Sequence, residues 1–306
     1  CPMQRRFERK LIRACLPFFL LIACVAPAAQ TEPVVQVDSV LTWSHPAPWF
    51  GGFSGVEVNA DGTRLTAVSD RGRVVQARMV REAGRLVALE LEENAPLKGA
   101  DGKALRGQMR DAEALALDDT GQLYISFEHD HHVARLAPES GVTTPLPRHD
   151  DFAKFEPNAG METLAAHPDG RLFAAPEGGG PTSGPIPLYA FDGTAWTIAA
   201  KIPRQGPFLP VDADFAEDGT LYLLERTITP LGFRSRIRSF DLTAPGLGEV
   251  TLLTSGPGQY DNLEALSTWQ DAAGQTRLTL LSDDNFFVMQ RNEVVELILA
   301  KPGVEG

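Results

Sequence analysis

The chain has 306 residues, with 28 basic and 40 acidic side chains. Five of the basic side chains and one of the acidic ones lie in the first 28 residues. The remainder therefore has 23 basic and 39 acidic side chains, a net charge of −16. A body this acidic is not drawn by charge to nucleic acid or to anionic lipid, but it can concentrate cations. All three cysteines lie within the first 24 residues, which excludes disulfides, thiolate metal sites and cysteine nucleophiles from the rest.

The N-terminal segment has the features of a secretory signal peptide, which we predict over residues 1–28. A basic cluster precedes the apolar run Leu16–Cys24, and small residues at Ala26–Ala28 offer a cleavage site. The apolar run is too short to be a membrane-spanning helix. Leu21–Cys24 also resembles a bacterial lipoprotein box, in which Cys24 carries a lipid. Both interpretations predict a periplasmic or secreted protein, with membrane attachment only through a lipid on Cys24.

Five later segments share one pattern: an apolar run, a turn with glycine, a second apolar run and an acid. They are GVEVNADGTRLTAVSD after Ser54, EALALDDTGQLYISFE from Glu113, ETLAAHPDGRLFAAPE from Glu162, DADFAEDGTLYLLE from Asp212 and EALSTWQDAAGQTRLTLLSD from Glu264. Two short apolar runs around such a turn are typical of a β-hairpin. The segments begin 59, 49, 50 and 52 residues apart. A period of about 50 residues with several short strands indicates a β-propeller.

Further strand-like sequence follows each hairpin, which gives about four strands per repeat and one propeller blade each. The last repeat ends with NEVVELILA, and no clear fourth strand follows it. We therefore predict that the N-terminal strand within residues 33–43 completes the last blade and closes the ring. The prediction is one all-β domain over residues 33–301, a β-propeller of five blades. A ring of six blades is the alternative, if residues 90–110 belong to a further blade that has lost the hairpin pattern.

The propeller fold also predicts where the acids of each hairpin lie. The first strand of a blade lines the central channel and the second runs back antiparallel, so the start of the first and the end of the second share one face. The turn glycines then lie on the opposite face. We expect ten acids to gather around one mouth of the channel: Glu113, Glu162, Asp212, Asp214 and Glu264 from first strands, and Asp70, Glu128, Glu177, Glu225 and Asp283 from second strands.

Carboxylates crowded in this way must take up protons, pair with arginine or bind a cation. Asn158 and Asn262 lie in the same motifs, and carboxylate with amide oxygen is a ligand set that suits Ca²⁺ better than Zn²⁺ or Cu²⁺. We predict a Ca²⁺ site whose ligands come from these two amides and from Asp70, Glu128, Glu177, Asp212, Asp214, Glu225, Glu264 and Asp283. The alternative is structural, with the acids capping strand ends or pairing with Arg71 and Arg226.

Histidine and arginine side chains offer further chemistry on the same face. The HDHH segment follows Glu128, and its first histidine, His129, is a candidate metal ligand or general base. Arg71 and Arg226 are candidates for binding a substrate phosphate or carboxylate through bidentate contacts, or else for pairing with the acids. The sequence has no Gly-x-Ser-x-Gly elbow, no HExxH and no phosphate-binding Gly-Lys-Ser/Thr loop.

The five hairpins and their flanks also carry a family resemblance. The stretches are GGFSGVEVNADGTRLTAVSDRG, RDAEALALDDTGQLYISFE, NAGMETLAAHPDGRLFAAPE, VDADFAEDGTLYLLER and DNLEALSTWQDAAGQTRLTLLSDDNF. They resemble, in order and over most of residues 50–300, the phytase-like propeller family of exported bacterial proteins. The resemblance implies a β-propeller, a Ca²⁺ requirement and phosphoester hydrolysis. By position it points to Asp70, Glu113, Glu128, Asn158, Glu162, Glu177, Asp212, Asp214, Glu225, Arg226, Asn262, Glu264, Asp283, Asp284 and Asn285.

Two hypotheses of function follow. In the first, the protein is an exported, Ca²⁺-dependent hydrolase of small phosphate or carboxylate esters, with Glu113 or Glu162 taking the proton from water. A lactonase is a close variant. In the second, the protein is not an enzyme: the acids hold a structural cation and the mouth binds a ligand or a partner.

Overall fold

The computed structural model describes residues 34–157, 159–178 and 184–300. This part of the chain forms five antiparallel sheets of four strands each. The innermost strand of each sheet contacts the innermost strand of the next, and the fifth sheet contacts the first, so the sheets form a closed ring. The prediction of an all-β propeller with five blades is confirmed. Within the described residues, no helix is both long and apolar enough to cross a membrane.

The strands follow one another blade by blade, after one strand at the start. Their bounds are β1 Val34–Thr42; β2 Phe53–Val58, β3 Arg64–Ser69, β4 Arg73–Glu82 and β5 Arg85–Pro96; β6 Ala112–Leu117, β7 Leu123–Phe127, β8 His132–Ala137 and β9 Val142–Pro145; β10 Thr163–Ala166, β11 Leu172–Ala175, β12 Ile186–Phe191 and β13 Trp196–Ile202; β14 Leu209–Phe215, β15 Leu221–Thr229, β16 Gly232–Phe240 and β17 Val250–Thr254; β18 Leu263–Gln270, β19 Thr276–Ser282 and β20 Glu293–Ala300. Three short 3₁₀ turns lie at Gly107–Arg110, Phe152–Lys154 and Pro245–Gly248.

The ring is closed by β1, as the sequence predicts. β1 pairs antiparallel with β20, from Val35 opposite Leu299 to Thr42 opposite Glu293, and the last blade has the order β1, β20, β19, β18. Residues 90–110, where a sixth blade was left open, hold the end of β5 and a 3₁₀ turn. The described chain therefore has no room for that blade.

The tight turns between first and second strands set the channel geometry. The five turn glycines have φ angles between 68° and 88°, a region that side-chain-bearing residues rarely adopt. Apolar clusters then pack between neighbouring sheets; one of them joins Trp43, Phe53 and Leu65 to Trp269 and Leu281 across the closing contact of the first and last blades. Burial between blades fixes the position of each inner strand, and with it the residues at the channel mouths.

Two of the ten predicted acids lie deeper in the channel wall, and their assignment to the acidic mouth is wrong. Asp212 Oδ2 accepts a hydrogen bond from the Leu266 backbone N–H at 2.8 Å, and Asp214 Oδ2 accepts one from the Thr268 N–H at 2.7 Å. Both acids thus tie the fourth blade to the fifth. Glu57, which the sequence analysis did not single out, ties the first blade to the second through the Leu117 N–H at 3.1 Å.

The cause is a shift of one residue in the fourth repeat. Glu113 and Glu162 each precede their turn glycine by eight residues, but Asp212 precedes Gly219 by seven. The first strands β2, β14 and β18 each skip one residue in pairing with their second strands: this residue is Ser54 in β2 and Glu264 in β18, but Val211 in β14. Because side chains on a strand alternate between faces, one residue of shift moves a side chain from one environment to the other.

Glu225 is a third acid that the structure places away from the predicted cluster. Its carboxylate accepts hydrogen bonds from Arg236 Nε at 2.6 Å and from Arg238 Nη2 at 2.5 Å, and the side chains of Glu225 and Arg238 are completely buried. The reason is register: Glu225 lies opposite Pro210, as Ser282 lies opposite Leu263 in the fifth blade, so Arg226 takes the position that Asp283 has there. Glu225 therefore stays within its sheet.

Candidate functional site

The acid mouth is the end of the channel where first strands begin and second strands end. The structure brings together there seven of the predicted acids, which influence one another electrostatically: Asp70, Glu113, Glu128, Glu162, Glu177, Glu264 and Asp283. Asp111 joins them, and so do Asn262, Arg226 and His129. Asn158, the remaining predicted ligand, lies outside the described residues.

Glu113 and Glu162 occupy equivalent positions at the start of the second and third blades. Burial raises the pKa of both carboxyls well above the ordinary value, since the ionised form loses hydration. Each is raised further by neighbouring negative charge: Glu162 and then Glu128 act on Glu113, and Glu177 and then Glu128 act on Glu162. The charge of Arg226 opposes this increase for Glu162. Carboxyls with raised pKa values in a cleft are candidates for a general acid or base.

The acids at the ends of second strands also have raised pKa values, which differ from one acid to the next. Burial, followed by the charge of Asp111, raises the pKa of Asp70 to about 6 and that of Glu128 to about 7. Burial, followed by the charge of Glu264, raises the pKa of Asp283 to about 8. Asp70 Oδ1 is also buried without a hydrogen-bond partner in the described ranges. The mouth thus holds more negative charge than its own residues neutralise.

Arg226 is the main cation inside the acid mouth. Its Nη1 donates to Asn262 Oδ1 at 2.6 Å and to the carboxylate of Glu264, and its Nη2 lies 3.6 Å from Glu177 Oε1. Asn262 in turn donates from Nδ2 to Glu264 Oε1 at 2.7 Å. Arg226 therefore pairs with acids, the alternative role considered for it, and partly neutralises one side of the mouth.

On the other side of the mouth, His129 contacts an acid that the sequence analysis missed. His129 Nε2 lies 3.0 Å from Asp111 Oδ2 and 3.8 Å from Glu128 Oε2. One ligand atom from each of these three residues lies within 4.8 Å of the others. Asp111 stands two residues before Glu113 in RDAEAL, just ahead of the strand, and that position was the available signal.

The other two histidines of the HDHH segment are structural. His131 is buried and its Nε2 lies 3.1 Å from the Glu156 carbonyl oxygen. His132 stacks on Phe127, with ring centroids 4.8 Å apart. His129 alone among them reaches the acids, and its backbone adopts a φ of 59°, which is uncommon for a residue with a side chain.

Arg71 lies at the rim of the acid mouth. Its guanidinium carbon is 3.4 Å from the centroid of the Phe286 ring, and the side chain is exposed. Phe286 follows Asn285, and both have positive φ angles, while Asp284 accepts a hydrogen bond from the Gly52 N–H at 2.9 Å. The loop after β19 thus holds an arginine in place beside the acids, where an incoming anion can reach it.

Two cavities open at the two ends of the channel. A cavity of about 490 Å³ adjoins the acid mouth and is lined by residues that include Glu177, Arg226 and Glu264. A smaller cavity, of about 210 Å³, lies at the turn end and is lined by residues that include Glu57 and Asp214. Since those two carboxylates already accept backbone hydrogen bonds from neighbouring blades, we place the candidate site at the acid mouth.

The raised pKa values predict that metal-free protein loses stability as pH rises. An acid whose pKa is higher in the folded state binds its proton more tightly there, so its stabilisation is lost as pH rises through the folded value. Buried His131 and His132 have lowered pKa values and oppose this trend below pH 6.5. For protein kept metal-free by a chelator, we therefore expect the melting temperature to fall by roughly 5 °C between pH 6.5 and 8.5.

Thermal melting across this pH range, monitored by circular dichroism, checks the prediction. Asp283→Asn should flatten the pH dependence, because Asp283 has a pKa of about 8 and titrates within the window. A melting temperature that is constant or rises with pH in metal-free protein would contradict it.

The fold and the acid mouth define the class of protein: a five-bladed β-propeller with a ring of acids over one end of its channel. The family model for the phytase-like family, described as "esterase-like activity of phytase", matches residues 48–286. The chain therefore belongs to the phytase-like family, as the hairpin motifs indicated. No curated protein sequence matches it significantly.

Solved structures share the fold at low identity. A gluconolactonase from Xanthomonas campestris is 18% identical over 81% of this chain and 72% of its own, with a TM-score of 0.44. A luciferin-regenerating enzyme is 12% identical over 90% of this chain and 97% of its own, with a TM-score of 0.47. An aldose sugar dehydrogenase from Streptomyces coelicolor is 14% identical over 87% and 99%, with a TM-score of 0.44. Likeness at this level carries no argument about activity.

Proposed function

We propose that the protein is an exported, Ca²⁺-dependent hydrolase of phosphate or carboxylate esters, with its active site at the acid mouth. The observation that carries the proposal is the excess of buried, mutually repelling carboxylates there, whose pKa values are raised together. Such a cluster costs stability unless protons or a cation neutralise it, and acids with shifted pKa values in a cleft are candidates for a functional site. Membership of the phytase-like family supports the hydrolytic part.

The residues present fit a hard cation. Asp111 and Glu128 offer carboxylate oxygens that lie within 4.8 Å of each other and of a His129 ring nitrogen, and Asp70 Oδ1 is buried at the mouth without a partner among the described residues. Oxygen donors of this type suit Ca²⁺. When bound, Ca²⁺ supplies Lewis-acid stabilisation of the negative charge that develops on the ester oxygens. The amide oxygen of Asn262 already accepts a hydrogen bond from Arg226, so we assign it to positioning that arginine.

The chain's own residues supply the proton chemistry and the binding of the ester. Glu113 or Glu162 accepts the proton from the attacking water, because a carboxyl with a raised pKa is the stronger base. Arg226 lies beside Glu162 and beside the adjoining cavity, where it orients an anionic substrate group. Arg71 is accessible at the rim for the same purpose.

The first test is thermal melting of chelator-treated protein titrated with Ca²⁺, Mg²⁺ and Zn²⁺. A ligand that binds only the folded state stabilises it by about 2.7 kcal/mol at a hundred times its Kd, so we expect a saturable rise of roughly 5 °C with Ca²⁺. Glu128→Gln should weaken the response. Glu57→Gln, at the opposite end of the channel, is the matched control and should keep it.

The other ions discriminate between sites. A shift with Zn²⁺ alone, abolished by His129→Gln, would assign the metal to the Asp111, Glu128 and His129 set, since imidazole is a preferred ligand of Zn²⁺. That outcome would contradict the Ca²⁺ part of the proposal. No shift with any ion would mean that protons and Arg226 neutralise the acids.

Turnover is tested on a panel of phosphate monoesters, carboxylate esters and lactones with saturating Ca²⁺. Activity on lactones alone would make the protein a lactonase.

The pairing of Arg226 with Glu177 and Glu264 favours the second candidate, a non-enzymatic envelope protein that binds a ligand over a structural cation. Cation binding without turnover of any substrate would select it.

A further inference from the structure

One hairpin of the fourth blade extends beyond the propeller ring. β15 and β16, the second and third strands of this blade, have nine residues each. The second strands of the two preceding blades, β7 and β11, have five and four. β14 pairs with β15 only as far as Arg226, while β15 and β16 remain paired through Thr229 and Gly232. We call the two-stranded extension, Thr227–Arg234, the ribbon.

The ribbon presents an apolar face to solvent next to the acid mouth. Ile228 and Phe233 lie directly opposite each other in the pairing and therefore on the same side of the ribbon. That side also carries Arg226, because it stands two residues before Ile228 on the same strand. The guanidinium of Arg226 is 5.9 Å from the centroid of the Phe233 ring. Ile228 is 73% exposed. Together with Phe233 and Leu209 it lines one cavity, and an apolar patch beside a cavity points to binding.

A cavity of about 490 Å³ runs from this apolar face to the acids. Its apolar lining comes from Pro207, Leu209, Ile228 and Phe233, and its polar lining includes Glu177, Arg226, Asn262 and Glu264. A volume of this size accommodates a small organic ligand. Its two halves match a molecule with a charged or ester group at one end and a hydrocarbon group at the other.

We propose that the ribbon is the apolar wall of the substrate site and that the substrates are amphiphilic esters. The ester group lies at the acids and Arg226, and an acyl or aryl group lies on Leu209, Ile228 and Phe233. This inference rests on the proposed function for the reaction, but the apolar wall also makes a prediction about binding alone. The two are separable by experiment.

The binding test uses n-alkyl carboxylates from butanoate to octanoate, titrated by calorimetry into protein with saturating Ca²⁺. Each methylene buried on the wall should lower Kd by roughly two- to fourfold. Ile228→Ser should flatten this dependence on chain length. Leu231→Ser is the matched control, because Leu231 is 78% exposed at the tip of the same ribbon but does not line the cavity.

Hydrolysis of 4-nitrophenyl acyl esters of the same lengths separates the two claims. We expect kcat/KM to rise with chain length in the native protein and in Leu231→Ser, and to be flat in Ile228→Ser. Turnover without any dependence on chain length would overturn the apolar wall alone. Binding that depends on chain length without turnover would overturn hydrolysis and support the wall. Equal flattening in both variants would overturn the wall, since a membrane or partner surface would use both residues.

Discussion

Of Glu113→Gln and Glu162→Gln, the variant that removes the general base is expected to lower kcat for ester hydrolysis by about 10²–10⁴-fold, the usual contribution of such a base. Glutamine keeps the size of the side chain but cannot accept the proton. Both glutamates have strongly raised pKa values, so their ionised forms are unfavourable in the folded protein. Removing that charge should leave the melting temperature at pH 8 unchanged or higher. A loss of activity with no loss of stability is the signature to look for.

Steady-state kinetics with saturating Ca²⁺, together with melting curves, check this prediction. Glu57→Gln is the matched control, since Glu57 is also a buried carboxyl with a raised pKa but lines the opposite cavity. It should retain native kcat. If both mouth variants turn over substrate at the native rate, the assignment of these residues is wrong.

Glu225→Gln is expected to lower the free energy of unfolding by about 3–5 kcal/mol, because it removes the charge that binds both buried arginines. Glu225 and Arg238 are completely buried, and the carboxylate binds Arg236 and Arg238 together. Urea denaturation measures the loss. Glu249→Gln provides the comparison: Glu249 contacts Arg238 at 2.8 Å but is partly exposed, so we expect a loss of about 1 kcal/mol.

The same variant separates stability from function. Glu225 lies outside the acid mouth, so folded Glu225→Gln protein should bind Ca²⁺ as the native protein does. A stability within 1 kcal/mol of native would contradict the buried-network interpretation, at the precision such measurements allow. If the folded variant no longer responds to Ca²⁺, Glu225 is a Ca²⁺ ligand, as the sequence first predicted.

The repeat in the sequence was sufficient to predict the five blades and the acids of the second and third. Glu113 and Glu162 stand at the same distance from their turn glycines, and Glu128 and Glu177 close the same two hairpins. Regular spacing of this kind fixes which end of the channel a side chain occupies. Where the repeat was regular, the structure brings the predicted acids together at the acid mouth.

The errors arose where the fourth repeat departs from the others. Asp212 and Asp214 resemble the acids of the other repeats, but Asp212 stands one residue nearer its turn glycine than Glu113 does, and both aspartates lie in the channel wall. Glu225 matches Glu128 by motif, but it stands one residue nearer its turn glycine, so it stays within the sheet and two arginines of β16 contact it. Motif position does not reveal strand length or register, which depend on pairing with distant residues. Asp111 was missed because it precedes the regular part of its repeat.

The closure of the ring by β1 has a consequence for the order of folding. β1 pairs with β20, and Val35 lies opposite Leu299, so the contacts that complete the last blade join residues more than 250 positions apart. Contacts of such long range form slowly, and until β20 has been synthesised β1 has no partner strand. Its unpaired edge is then a site for association with other chains. Chaperone binding to β1 during synthesis, and a late, slow phase in refolding, are the expected costs of this closure.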